Sequence, residues 1–177
     1  MLDKAHYARA WDELRHLAEL LAAPVTTSLE GKSSFPENHP LSLGSGGRAI
    51  PQTVHHFLRH ADLVFGIGCS FTETAYGVSM PKGKRILHAP LDPDHLSKDV
   101  RATIGLAGDA RLTVAALRTE VEKLLPAPRP SSAVTAEIAR MREGWLAQWM
   151  PKLTCEETPL SPYRVIWDLQ RRVVRGA

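Results

Sequence analysis

The stretch His60-Ala61-Asp62-Leu63-Val64-Phe65-Gly66-Ile67-Gly68-Cys69-Ser70-Phe71 decides the fold. Leu63 to Ile67 is a short, almost wholly apolar run, bounded by polar residues before it and a Gly-rich turn after it. A strand buried on both faces reads this way, and such strands belong to parallel sheets covered by helices. Two weaker runs follow, Arg85 to Leu91 and Ala102 to Leu106, and one precedes, Val25 to Leu29. Helical patterns alternate with them. Leu14, Leu17, Leu20 and Leu21 recur at three- and four-residue spacing within Ala5 to Leu21, and Pro24 follows. A second helix is predicted from about Ile50 to His60, with Pro51 in its first turn. A third runs from Ala110 to Leu125, capped by Asp109, with Leu112, Ala116, Leu117, Val121, Leu124 and Leu125 as its apolar stripe. Alternation of this kind predicts an α/β sandwich with a mainly parallel sheet. Sheets of that class bind ligands beyond the carboxyl ends of their strands.

Beyond the third helix the composition shifts. Pro126 to Ser132 is a proline-rich, semi-rigid linker. A further helix is predicted over roughly Ala133 to Met150, with Trp145 and Trp149 four apart on one face, and a last one over Tyr163 to Val174. The expected organisation is a central α/β domain at 1–126, a linker with a helix at 127–160, and a segment at 161–177 that opens another domain.

Bulk properties narrow the function. The chain has 177 residues and a formal charge of +3. Its one basic cluster, Arg171, Arg172 and Arg175, suits a helix C-terminus better than a nucleic-acid footprint. No run of about 20 apolar residues is present for a membrane span, and the N-terminus has no signal-peptide core, so a cytoplasmic location is expected. Cys69 and Cys155 stand apart, which fits reduced thiols and neither a disulfide framework nor a zinc site.

The motifs that carry chemistry are incomplete. Gly66-Ile67-Gly68 begins like a dinucleotide fingerprint, but Phe71 stands at the third glycine, and a tight turn is the simpler reading. Gly44-Ser45-Gly46-Gly47-Arg48, before a helix, suits either an anion cradle or a flexible loop. Asp92-Pro93 reads as a helix cap and not as a calcium loop. His55, His56 and His60 share a helix without a third ligand and read as surface histidines. No catalytic residue and no metal ligand is assigned.

In order along the chain come Ser28-Leu29, Gly31-Lys32, Phe35-Pro36-Glu37, His39-Pro40 and Leu43-Gly44, then HADLVFGIGCSF, ILHAPLDPDHLSKDV and LAGDA at Leu106 to Ala110. This series, across Leu14 to Glu122, resembles the central domain of thiamine-diphosphate-dependent enzymes of the acetolactate synthase type. The resemblance implies a Rossmann-like three-layer sandwich. It implies a whole enzyme, a lyase or transferase, that makes or breaks carbon–carbon bonds beside a carbonyl. Thiamine diphosphate and magnesium would lie between flanking pyrimidine- and diphosphate-binding domains, and this chain alone would be inactive. SPYRVIWDLQRRV from Ser161 is similar to the first helix of the diphosphate-binding domain. The family's central domain usually opens with a strand and a Gly-rich turn, which this chain is expected to lack.

Acetolactate synthases bind FAD in this domain and some relatives bind ADP. The family's Arg, Asp and Arg after the Gly-x-Gly strand correspond here to Ser70, Thr72 and Thr74, and Pro90 replaces an aspartate. An Arg-to-Ser replacement removes bidentate diphosphate recognition. FAD is therefore not expected, and ADP stays open. The residues left for a nucleotide are Ser28, Leu29, Gly66, Gly68 and Asp109. The reading is a non-catalytic central domain, with a free-standing ADP or FAD module as the alternative and an NAD-dependent deacylase-like domain as a remote one. Exposed strand edges and apolar faces predict a homo-oligomer.

Overall fold

In the computed structural model, residues 5, 7–46, 51–72 and 80–173 are described. They divide into two compact units, one up to Ile138 and one from Ala139 onward.

The first unit begins with helix α1, Trp11–Leu21. The predicted helix from Ala5 is interrupted: Arg9 has φ 51° and Ala10 N–H donates to the Ala5 carbonyl at 3.2 Å. That left-handed residue closes one helical turn before the next begins. At its other end α1 stops on Ala22, with φ 50° and ψ 39°, before Pro24 is reached. Ala23 N–H donates to the Ala18 carbonyl at 2.9 Å and Ala22 N–H to that of Glu19 at 3.3 Å, the paired bonds of a Schellman stop. Glycine is the usual residue there because a Cβ is strained in the left-handed region. Ala22→Gly should therefore stabilise the protein by up to about 1 kcal/mol, read as a rise in the urea midpoint.

Strand β1, Val25–Thr27, follows, and pairs in parallel with β2, Ser42–Ser45. The sequence reading placed β2 inside a long loop. Its Ser-Leu-Gly-Ser composition carries no strand signal, and only pairing with β1 makes it one. Leu43 is accommodated as an extra residue between the partners of Val25 and Thr26, and Gly44 takes φ 90° beside it.

Helix α2, Gln52–His60, leads to strand β3, Leu63–Ile67. Its last carbonyls are satisfied from outside: Lys84 Nζ donates to the carbonyls of Arg59 at 2.5 Å and Ala61 at 2.6 Å. A cation at a helix C-terminus also meets the negative end of the helix dipole. Strand β4, Arg85–Ala89, and strand β5, Ile104–Gly105, complete a parallel sheet of order β3-β4-β5. The strands are shorter than the apolar runs suggested, because the residues after Thr27 and Ala89 turn away into loops. Asp92 caps a single 3₁₀ turn at Pro93–His95 by accepting from Asp94 N–H at 3.0 Å.

Helix α3, Ala110–Leu124, starts as predicted, with the Asp109 carboxylate accepting from Leu112 N–H at 3.0 Å. Its buried face differs from the prediction. Ala110 and Val114 are buried and Leu117 packs beside them, whereas Leu112 is 71% and Leu124 81% exposed. Positions 110, 114 and 117 also form a helical stripe, and Leu112 points nearly opposite to it. Contact with α1 and the sheet, not side-chain size, sets the phase. Leu14, Leu17 and Ala18 of α1 and Ala110 and Val114 of α3 share one core with Ile67 and with Phe35. A smaller core joins Leu43, Val54 and Ile138.

Glu13 Oε1 accepts from Arg111 Nε at 2.8 Å, tying α1 to α3. That bond holds the Glu13 carboxyl below its ordinary range, against a smaller opposing effect of burial. A depressed carboxylate stabilises the fold above its unfolded pKa, and the gain is lost as pH falls through the folded value. Glu13→Gln should thus lower the melting temperature at neutral pH and not below about pH 3. The gap should be small, below about 1 kcal/mol, because Arg111 is well exposed.

The second unit holds the later part of helix α4, Ser132–Leu153, and helix α5, Pro162–Arg172. Trp145 and Trp149 stack with centroids 5.9 Å apart, and Tyr163 lies 5.6 Å from Trp149.

Candidate functional site

The carboxyl ends of the parallel strands are where this fold class places ligands. At the three-stranded sheet the structure gathers Gly66, Gly68 and Asp109 in that region. Gly68 N–H donates to the Ala89 carbonyl at 2.8 Å, and Gly108 N–H, beside Asp109, to that of Pro90 at 2.9 Å. Ser28 and Leu29 lie past the end of β1, in the other sheet.

Four of the five candidate residues have an internal partner or duty. Ser28 is buried, and its Oγ accepts from Gly31 N–H at 2.9 Å. Leu29 is 61% exposed. Gly68 takes φ 61°, the left-handed turn that favours glycine. The Asp109 carboxylate caps α3. Gly66 makes room for other side chains: a Cβ there would collide with the Phe71 ring and lie 2.8 Å from Cys69 Sγ.

The register shows why. Gly66 of β3, His88 of β4 and Gly105 of β5 are neighbours across the sheet and point to one face. A fully buried imidazole stands between two glycines. Phe71 covers it over Gly66, with ring centroids 4.7 Å apart. Leu96 covers Gly105, where a Cβ would lie 2.8 Å from Leu96 Cδ2. Among the described residues, loop side chains close this face over the imidazole. Phe71 itself has φ 50°.

His88 Nε2 donates to the Cys69 carbonyl at 2.8 Å, which leaves Nδ1 as the acceptor. Nδ1 makes no well-formed hydrogen bond, and the Cys69 thiol is its neighbour. Burial pushes the Cys69 thiol up, the adjoining His88 imidazole draws it down, and the net direction is downward. For His88, burial favours the neutral ring, and the bonds to Cys69 more than offset it, raising the pKa. Nothing local signals this pair, because nineteen residues separate its members.

The other sheet ends in a polar chain. Thr27 Oγ1 donates to Ser45 Oγ at 3.0 Å, Ser45 Oγ donates to Glu37 Oε1 at 3.0 Å, and Lys32 Nζ lies 3.5 Å from that oxygen. This connects pieces of the long motif that sequence alone left without roles. It also bears on the choice between an anion cradle and a flexible loop at Gly44 to Arg48. Gly46 N–H is spent on the Thr27 carbonyl at 2.6 Å, Gly44 N–H on Ser42 Oγ at 3.2 Å, and a carboxylate adjoins Ser45. Gly47 and Arg48 lie outside the described residues, as do Thr74 and Arg175.

Among the described residues a nucleotide finds few donors here. Ser70 and Thr72, at the positions of the lost Arg and Asp, bond each other at 2.7 Å, and Phe71 fills the space above Gly66. These residues do not fit a diphosphate. Two of the three histidines of α2 are engaged elsewhere: His56 Nε2 contacts Glu137 Oε1 at 2.9 Å, and His60 Nδ1 donates to the His56 carbonyl at 2.8 Å, while His55 is exposed. Among the described residues no group of three His, Cys, Asp or Glu side chains is placed to hold a metal ion.

Residues 3–117 match the family model described as "Thiamine pyrophosphate enzyme, central domain". The chain belongs to that family. It is 32% identical over 170 residues to the "Probable acetolactate synthase large subunit" of Methanocaldococcus jannaschii, covering 90% of this chain and 26% of that protein. It is 31% identical over 134 residues to the acetolactate synthase large subunit of Corynebacterium glutamicum, covering 75% and 20%. Among solved structures, benzoylformate decarboxylase from Polynucleobacter necessarius superposes with a TM-score of 0.56 at 28% identity, over 73% of this chain and 24% of that one. The Rossmann-like α/β class agrees with that likeness. The chain spans about a quarter of the length of these relatives.

Proposed function

We propose that this chain is the non-catalytic central domain of a thiamine-diphosphate- and magnesium-dependent enzyme, a 2-oxo acid decarboxylase or acyl transferase resembling acetolactate synthase. The observation that carries this reading is the fate of the candidate ligand residues. Ser28 and Asp109 spend their oxygens on neighbouring backbone N–H groups, and Gly66 lies beneath Phe71. The family match over residues 3–117 supports the domain assignment. Thiamine diphosphate and magnesium would be held by flanking pyrimidine- and diphosphate-binding domains, where the bond-making chemistry would occur. The role of this domain is then to hold those neighbours in place. A cytoplasmic location is consistent with the described residues, none of whose helices is long and apolar enough to cross a membrane.

The test is a thermal-shift titration of the chain with ADP, FAD and thiamine diphosphate in turn. A specific ligand at 100 times its Kd adds about 2.7 kcal/mol to stability, a readily visible shift. No dose-dependent rise with any of the three is expected. A rise with ADP or FAD would instead establish a nucleotide module. A rise with thiamine diphosphate would overturn the domain assignment itself.

A further inference from the structure

Beneath Phe71, two donor atoms with an affinity for soft metal ions lie side by side. Gly66 and His88 are paired in register across β3 and β4, so both face the same way. A Cβ on Gly66 would lie 2.8 Å from Cys69 Sγ, which puts the thiol on that face, beside the imidazole. His88 is wholly buried and Cys69 is 3% exposed. The bond from His88 Nε2 to the Cys69 carbonyl, 2.8 Å long, fixes the tautomer and leaves a lone pair on Nδ1. Nδ1 has no hydrogen-bond partner of good geometry, and its neighbour is the thiol, a weak donor. A buried acceptor left in this state costs stability. Histidines that bind metal ions are oriented in the same manner, with the other ring N–H given to a carbonyl or carboxylate.

We propose that Cys69 Sγ and His88 Nδ1 form a two-donor site for a soft monovalent cation of the class of Cu(I) and Ag(I). Donor number and charge select that class. Among the described residues no third His, Cys, Asp or Glu side chain joins the pair, and the Cys69 carbonyl is already spent on Nε2. Zinc takes about four ligands and calcium about six to eight oxygens. A soft monovalent ion is satisfied by one thiolate and one imidazole. On binding, the Sγ–H bond breaks, a bond from Sγ to the ion forms, and the proton leaves to solvent. Nδ1 supplies its lone pair to the same ion, and no electron is transferred, because copper enters as Cu(I). The thiolate cancels the single charge of the ion, whereas a divalent ion would leave net charge buried without a partner. The lowered pKa of the thiol eases the loss of its proton. The half-buried Phe71 ring, 4.7 Å from the imidazole, is the cover that must turn outward to admit the ion.

The test uses the full chain carrying Cys155→Ser, which removes the other free thiol. The probes are silver nitrate in chloride-free buffer and, under anaerobic reducing conditions, Cu(I). Calorimetry should give about one ion bound and about one proton released per chain. On loading, the nitrogen NMR resonance of one histidine Nδ1 should move. Adding Cys69→Ser should abolish tight binding. His88→Gln keeps an N–H for the Cys69 carbonyl but has no atom in place of Nδ1, and should weaken binding about tenfold or more. Phe71→Ala should load faster with unchanged stoichiometry, and Zn(II) should bind far more weakly than Ag(I). The nitrogen measurement keeps His88 in place, so it decides the matter even if His88→Gln does not fold. Silver binding that leaves every histidine nitrogen unmoved would overturn the proposal, and so would tight binding that persists in Cys69→Ser or an equal affinity for Zn(II).

Discussion

Phe35→Ala should cost the protein about 3–5 kcal/mol, the largest loss expected from any single truncation here. Phe35 is 1% exposed, although it sits in the loop between β1 and β2 and not in a helix or strand. It shares the main core with Leu14 and Leu17 of α1, Val114 of α3 and Ile67 of β3. Truncation opens a cavity where two helices meet the sheet, and the surrounding elements are pinned by their own hydrogen bonds and relax only in part. The ring also meets the His39 imidazole edge-on at 5.0 Å. His39 Nδ1 accepts from Leu41 N–H at 3.1 Å, and its Nε2 donates to Glu19 Oε1 at 3.1 Å. Losing the ring therefore loosens the loop's attachment to α1 as well. Domains are stable by about 5–15 kcal/mol in all, so this variant should be near the limit of folding. Urea denaturation reads the result: a much lower midpoint with an unchanged slope, and a smaller fall for Phe35→Leu, which keeps most of the volume. A midpoint within experimental error of the wild type would show that Phe35 is not part of a close-packed core.

That residue also shows what the sequence could and could not disclose. Strands β3 and β4 were legible because their apolar runs are local and self-contained. The caps at Asp92 and Asp109 were legible for the same reason, since each acts within three residues of itself. Strand β2 was not, because nothing in Ser42–Ser45 favours an extended chain until β1 lies beside it. Nor was the phase of α3, where two stripes were available and contact with α1 chose the one with smaller side chains. Phe35 stood out in sequence only as part of a motif, and its burial depends on α1, α3 and β3 arriving together. At the candidate site the division is similar. Gly66 and Gly68 announced a tight approach of some kind, but periodicity cannot say what approaches. His88 looked like one more residue of an apolar strand, and the glycines on either side of it in the sheet lie 22 and 17 residues away in the chain, as the strand register alone reveals.

Gly66→Ala should cost about 1–3 kcal/mol, the usual range for an added methyl group in a packed region. It is an informative substitution because its cost has one main source. The new Cβ collides with the Phe71 ring and presses on Cys69 Sγ at 2.8 Å. Backbone strain is not the source, since Gly66 is not among the residues with positive φ. The ring must therefore move, giving up its contact with His88 and uncovering a buried imidazole. A double-mutant cycle isolates this. Phe71→Ala should remove the obstacle, so that adding Gly66→Ala costs little more, and the coupling should account for most of the single-variant loss. If the two losses simply add, Phe71 is not what requires a glycine at position 66. The cycle also bears on function. In the reading advanced here, Gly66 is glycine because of Phe71 and not because of a diphosphate. Phe71→Ala should then open the space above Gly66 without creating nucleotide affinity, because Ser70 and Thr72 still provide no cationic donors. A thermal shift with ADP that appears only in Phe71→Ala would instead mean that the ring, and not the lost charges, is what excludes a nucleotide.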